Sequence, residues 1–254
     1  MEILTSNQNN RVKEWKKLQL KKERKSTQSY LIEGWHSVVE AVNNGAIVSA
    51  IMVVNPDNLK ELPIPKDVEV YQITEEIAKH IATTKTPEGI FAVAKTDATR
   101  LTIPADLKGK WLLLDDIQDP GNIGTMVRTA DAAGISGVVF GDGTADLYNP
   151  KVVRSMQGSQ FHIKIFQGNL KGWIKAFKDA SIPVYGTQLS KDAVSYYDAD
   201  KKDQFALIMG NEGNGVNYDL LKETDQNLYI PMPGNAESLN VAVACGVILF
   251  GFMR

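Results

Sequence analysis

Five polar side chains stand in or beside glycine-rich stretches of this sequence: Asn122, Arg128, Glu212, Ser238 and Asn240. Asn122 and Arg128 belong to Asp119-Pro120-Gly121-Asn122-Ile123-Gly124-Thr125-Met126-Val127-Arg128, which follows the apolar run Trp111 to Leu114. Ile123, Met126, Val127, Ala130 and Ala133 recur at helical spacing and are expected to face a sheet. Asn122, Thr125 and Arg128 are three apart and so point another way, toward the carboxyl end of the preceding strand, where open α/β sheets bind ligands. Glu212 lies in Gly210-Asn211-Glu212-Gly213, and Ser238-Leu239-Asn240 opens a long apolar run. Ser238 is placed to cap the last helix. Capping leaves Asn240 unexplained, because a buried amide needs a partner. His36, His80 and His162 are scattered and there is a single cysteine, so no metal pattern emerges.

Two nucleotide fingerprints fail on spacing. Gly141-Asp142-Gly143-Thr144-Ala145-Asp146 has Asp where a dinucleotide motif needs its third glycine, and Gly210 to Gly215 is followed by Val216 rather than by Lys and Ser or Thr. The glycines still imply backbone that turns tightly or approaches a ligand closely.

Taken together, Asp119 to Gly124 with Arg128, Gly210 to Gly213, and Ile230-Pro231-Met232-Pro233-Gly234 followed by Ser238-Leu239-Asn240 resemble the three motifs of the SpoU/TrmH family of RNA ribose 2'-O-methyltransferases. The resemblance implies a mostly parallel C-terminal sheet with a trefoil-knotted SPOUT fold, S-adenosylmethionine as cofactor and no metal. Main-chain groups at Gly210, Ile230 and Leu239 would hold the adenosyl moiety; apolar residues with exposed backbone suit a flat base that needs a few hydrogen bonds. Asn122, Arg128, Glu212, Ser238 and Asn240 would form the catalytic set. The acceptor is then RNA, since DNA has no 2'-hydroxyl.

The elements that must position these residues fall into two groups. Tyr30 to Ile32, His36 to Val42, Ala50 to Val54, Glu75 to Ile81 and Ile90 to Ala94 alternate short apolar runs with helical patterns, as in a small α/β domain. Beyond a polar stretch, Trp111 to Leu114, Val138 to Phe140, Ile163 to Phe166, Val184 to Tyr185, Ala206 to Met209 and Leu228 to Ile230 read as buried strands. The expected division is residues 1–96 as an RNA substrate domain, 97–110 as linker and 111–254 as the methyltransferase domain. Asn7-x-x-Asn10-x-Val12-Lys13, Leu31-Ile32-Glu33-Gly34 and Thr86-Pro87-Glu88-Gly89-Ile90 resemble the ribosomal-protein-like domain of two-domain members, which mostly methylate 23S ribosomal RNA. Tyr148-Asn149-Pro150-Lys151 with Arg154 and Ser155 is a further family-like segment.

Net charge is −2 over 254 residues, so a nucleic-acid partner cannot be read from the total. The first 30 residues, however, carry eight basic against three acidic side chains. Lys13, Lys21, Lys22 and Arg24, with Lys151 and Arg154 further on, are the expected phosphate contacts. Cys245 lies in an apolar run, which fits a reducing compartment and a buried thiol. With no signal-peptide pattern and no bilayer-length apolar run, a cytoplasmic location is expected. Trp15, Trp35, Trp111 and Trp173 read as packing residues. Val241 to Phe250 is hydrophobic on nearly all sides and needs cover from its own fold or a partner, and the family resemblance favours a homodimer. A tRNA 2'-O-methyltransferase and a non-catalytic RNA-binding assembly factor remain open alternatives.

Overall fold

In the computed structural model, which describes residues 1–253, the chain folds into two compact units: Met1–Asp97 with Asp146–His162, and Ala98–Ala145 with Ile163–Arg254. The first unit runs β1 (Glu2–Leu4), α1 (Asn10–Lys17), α2 (Lys21–Thr27), β2 (Ser29–Glu33), α3 (Trp35–Asn43), β3 (Val48–Val53), β4 (Glu69–Ile73), α4 (Glu75–Ile81) and β5 (Ile90–Lys95). Its five strands are ordered β1-β4-β3-β5-β2, parallel on the β1 side and antiparallel around β5. The basic N-terminal stretch forms two helices, because the chain turns at Leu18 to Leu20, where Leu18 is buried.

The second unit begins with β6 (Lys110–Asp115), α5 (Pro120–Ala132) and β7 (Gly137–Phe140). The chain then contributes α6 (Pro150–Ser155) to the first unit and returns to the second with β8 (Lys164–Gln167). There follow α7 (Leu170–Asp179), β9 (Val184–Thr187), β10 (Val194–Ser195), β11 (Phe205–Gly210), α8 (Tyr218–Leu221), β12 (Gln226–Tyr229) and α9 (Val241–Phe252). The seven-stranded sheet, β10-β12-β9-β11-β6-β7-β8, is parallel at every pairing.

Such a sheet must be covered on both faces, and its strands show it by being buried at consecutive positions. Trp111, Leu113, Val139, Val184, Ala206 and Ile208 pack with Trp173, Ile174 and Phe177 of α7 and with Leu220 and Leu221 of α8. Leu112, Leu114, Val138, Leu207 and Met209, of opposite parity, are equally buried. Helices α5 and α9 pack on one another, α5 also against β7 and α9 against β11. Ile123, Met126, Val127 and Ala130 of α5 are buried as the spacing predicts, whereas Ala133 falls at the helix C-cap and is half-exposed. Trp15, Trp111 and Trp173 are buried and Trp35 is half-buried. Cys245 is fully buried, and that burial pushes its thiol up to about 12.

Candidate active site

Strands β6 and β11 are adjacent, with Asp115 in register with Gly210, so their two carboxyl-end loops emerge side by side. The turn after β6 carries Asp119, whose carboxylate caps α5 by accepting the Asn122 N–H at 2.9 Å. The loop after β11 carries Glu212, whose Oε1 accepts the Asp119 N–H and the Asn122 side-chain amide, both at 3.0 Å. Glu212 Oε2 accepts the Gln118 N–H at 3.2 Å. The carboxylate therefore ties the start of α5 to the β11 loop.

Desolvation works to raise the Glu212 pKa, but the Asn122, Asp119 and Gln118 donors outweigh it and hold the carboxyl below its ordinary value. The Asn122 carbonyl oxygen in turn accepts from the Asn240 side chain at 2.9 Å. Glu212, Asn122 and Asn240 thus form one hydrogen-bonded chain joining three loops.

Asn240 is the N-cap of α9, with Oδ1 accepting from Ala242 N and Val243 N at 3.0 and 3.3 Å. This corrects two expectations. Ser238 is not the cap, and the helix starts at Val241 instead of Leu239, because the Asn240 carbonyl reaches the free N–H groups first. The same amide finds its second partner in Asn122, which answers the question its position raised.

Arg128 lies on α5, exposed, and its guanidinium makes no hydrogen bond or ion pair among the described residues. Helical geometry puts it about 120° around the axis from Asn122, so the two do not share a face as their spacing suggested. Thr125, between them, returns its hydroxyl to the Gly121 carbonyl at 2.8 Å.

Beside this network lies a cavity of about 1010 Å³, lined by Gly210, Ile230 and Leu239 together with Glu212 and Ser238. Asn122, Arg128 and Asn240 are not among its lining residues. Met209, Val216, Leu228, Ala244 and Ile248 supply apolar wall. Gly210 is dictated by the loop: Asn211 bridges back to Gly215, and a Cβ at 210 would lie 2.1 Å from the Val216 nitrogen. Gly215 completes the reversal at φ +72°, whereas Gly213 donates to Asn211 Oδ1 at 3.0 Å without a positive φ. Thr187, Leu189 and Met232 also line the cavity. Met232 stands inside the Ile230–Gly234 motif, but Thr187 and Leu189 carry no sequence signal, although Thr187 ends β9 at the sheet edge where ligands collect. A cavity of this volume, with an apolar wall on one part and polar residues such as Asp116, Asn211 and Glu237 on another, has room and partners for an adenosyl group.

The basic residues separate into two kinds. Lys13, Lys21, Lys22 and Lys151 are exposed, and Arg154 is half-buried. Arg24, expected among the phosphate contacts, is 4% exposed and turned inward: its guanidinium donates to the Leu18 and Gln19 carbonyls and to Asp146 at 2.8–2.9 Å. It has no free face for RNA. No cluster of three or more His, Cys, Asp or Glu able to hold a metal occurs among the described residues. Among the same residues, no helix is long and apolar enough to cross a membrane.

Residues 110–250 match the model of the SpoU rRNA Methylase family, and residues 9–92 that of the MRM3-like substrate binding domain. The chain belongs to the SpoU rRNA methylase family. It is 45% identical to the Bacillus subtilis 23S rRNA (guanosine(2553)-2'-O)-methyltransferase RlmP, over 98% of both chains. An AdoMet-bound rRNA methyltransferase from Sinorhizobium meliloti superposes with a TM-score of 0.88 at 30% identity, covering 99% of this chain and 97% of that one. The AdoMet complex of AviRb, a SpoU methyltransferase from Streptomyces viridochromogenes, gives 0.80 at 27%, with 97% and 98% covered. The protein is an S-adenosylmethionine-dependent RNA 2'-O-methyltransferase, and RNA is its partner.

Proposed function

We propose that the acceptor is a ribose 2'-hydroxyl of 23S ribosomal RNA, at a guanosine, as in the B. subtilis relative. The observation that carries this is 45% identity along both whole chains, substrate unit included. S-adenosylmethionine, when bound, supplies a methyl group already activated on a sulfonium, so the protein's part is chiefly placement. Gly210, Ile230 and Leu239 hold the adenosyl group by their main chain, as supported by the cavity they share.

Glu212 and Asn240 fix Asn122 at the start of α5. Arg128, unpaired and fork-shaped, orients the 2'-hydroxyl or a neighbouring phosphate and stabilises charge as the hydroxyl proton leaves. Ser238 lines the same cavity. Residues 1–96, completed by the returning segment 146–162, serve as the RNA domain, 97–110 as linker and the remainder of 111–254 as the catalytic domain, with the C-terminal chain threaded as the family's knot. Lys13, Lys21, Lys22, Lys151 and Arg154 contact phosphates. The enzyme works in the cytoplasm as a homodimer, without a metal.

Mapping 2'-O-methylation across ribosomal and transfer RNA in cells with and without the protein tests the substrate. Loss of one guanosine methylation in 23S RNA is the expected result. A lost tRNA mark would redirect the reading, and an unchanged map would favour an assembly factor. Calorimetry in chelator should show S-adenosylmethionine binding undiminished; binding that needs added metal would refute the metal-free site.

A further inference from the structure

The segment Asp146–His162 leaves the second unit's chain to build part of the first, and both of its end residues are fastened there. At the front, Asp146 Oδ2 accepts from the Arg24 guanidinium at 2.8 Å. At the back, His162 Nε2 sits 2.7 Å from Glu40 Oε2 on α3. The middle is anchored by packing: Val153 of α6 is 2% exposed within the cluster of Ile32, Val38 and Ile90. Tyr148 packs on Tyr30 with ring centroids 4.7 Å apart. Gly158, at φ +90°, passes so close to α3 that a Cβ would lie 2.6 Å from Glu40 Cγ.

The Arg24–Asp146 pair is a poor device for stability. It desolvates a guanidinium, and Arg24 Nε is buried without a partner. Replacing such pairs by apolar residues is often neutral or stabilising. What the pair does supply is register: the same guanidinium fixes the Leu18–Gln19 turn at the head of α2 and the Asp146 end of the α6 segment. The first residue of α2 is exposed Lys21, and the first turn of α6 holds exposed Lys151.

We propose that Arg24–Asp146 and Glu40–His162 are positioning clamps. They set Lys151 and Arg154 of α6 in fixed register with Lys21 and Lys22 of α2, so that one run of RNA phosphates meets both helices. This rests on the RNA-methyltransferase reading given above. Arg24, expected at the RNA surface, acts instead one layer beneath it.

The experiment is a double-mutant cycle read by RNA affinity, KM and kcat, with 23S RNA from cells lacking the protein as probe. The Lys151→Ala/Arg154→Ala variant should weaken RNA binding at least about tenfold. Its salt slope should fall by about 0.7–0.9 for each phosphate that is no longer neutralised. Asp146→Asn should raise the KM for RNA several-fold while leaving kcat and S-adenosylmethionine affinity unchanged. Its effect should shrink toward nothing in the Lys151→Ala/Arg154→Ala background, since a clamp has nothing to position once those side chains are gone. His162→Gln, at the more exposed clamp, should behave the same way and guards against Asp146→Asn failing to fold. Equal losses for the clamp variants in both backgrounds, or unchanged RNA affinity without Lys151 and Arg154, would overturn the clamps. Absence of RNA binding and methyl transfer by the wild-type protein would instead overturn the reading beneath them.

Discussion

Arg128 carries the sharpest residue-scale test because it is exposed and unpaired, so its loss disturbs nothing else. Replacing it by Ala or Lys should lower kcat by at least about a hundredfold, the scale on which positioned charge acts in a transition state. Cofactor affinity should stay within a few fold. A Lys variant at full rate would show that charge suffices and the planar fork does not matter. Two carboxylates make opposite pH predictions. Glu212 is held below its ordinary pKa by the Asn122, Asp119 and Gln118 donors, which overcome desolvation. Its contribution is present above the unfolded value of about 4.3 and is lost as pH falls through the lower folded one. Glu212→Gln should lower kcat at neutral pH and reduce, without abolishing, the loss of melting temperature on acidification, since Glu40 and Glu69 are held low as well. Asp115 is 9% exposed, and burial, with help from Asp116, raises its pKa against the Asn217 N–H bond. A raised folded value means stability is present at low pH and lost as pH rises through that value. Asp115→Asn keeps an acceptor for Asn217 and should raise Tm at pH 7 by a few degrees, for about 1 kcal/mol. Melting curves showing a gain that does not shrink as pH falls below the ordinary Asp value of about 3.9 would contradict this.

Among the elements, those with strong periodicity could be read from the sequence and those defined by partners could not. Glu75 to Ile81 is helical over the span its pattern marks, with Thr74 as cap. The buried run of β11 stands out because a central parallel strand is apolar at every position. Strands β1 and β4 were missed: β1 has three residues, and β4 is an interior strand with a half-exposed Gln72 and an exposed Glu69. The site split the same way. Gly210, Ile230 and Leu239 line one cavity. The partners of Asn122, Glu212 and Asn240 lie up to 118 residues apart in sequence, where no local rule reaches. The loop after β11 gives the element-scale prediction. Gly210→Ala places a methyl against backbone at Val216, which cannot swing aside as a side chain could. The loop must open, so S-adenosylmethionine affinity should fall more than about tenfold and the protein should lose about 1–3 kcal/mol of stability. Calorimetry finding wild-type affinity in that variant would mean the Gly210 loop is not part of the cofactor site.

At the scale of the whole molecule, the composition shift near residue 100 marks one crossing between the units, but the return of Asp146–His162 to the first unit leaves no mark in periodicity or charge. Only burial shows it, through Val153, Tyr148 and Phe161 in the core of the first unit. Deleting residues 1–95 to test RNA binding would strip that core and expose these side chains, so point variants are the sounder probe. Oligomeric state offers a cleaner test. Helix α9 buries Ala242, Cys245, Ile248, Leu249 and Phe252, while Val243 and Phe250 remain 52% and 49% exposed. With half-exposed Val247 between them, they fall at i, i+4 and i+7 on one face, an apolar stripe that its own fold leaves uncovered. Large exposed apolar patches mark interfaces more often than idle surface. The proposed homodimer would cover this stripe. Light scattering should return about twice the 28.0 kDa chain mass, and Phe250→Asp should reduce it to a monomer without lowering the melting temperature of the isolated chain. A wild-type monomer that methylates RNA at full rate would remove the dimer, and a Phe250→Asp dimer would move the interface to another face.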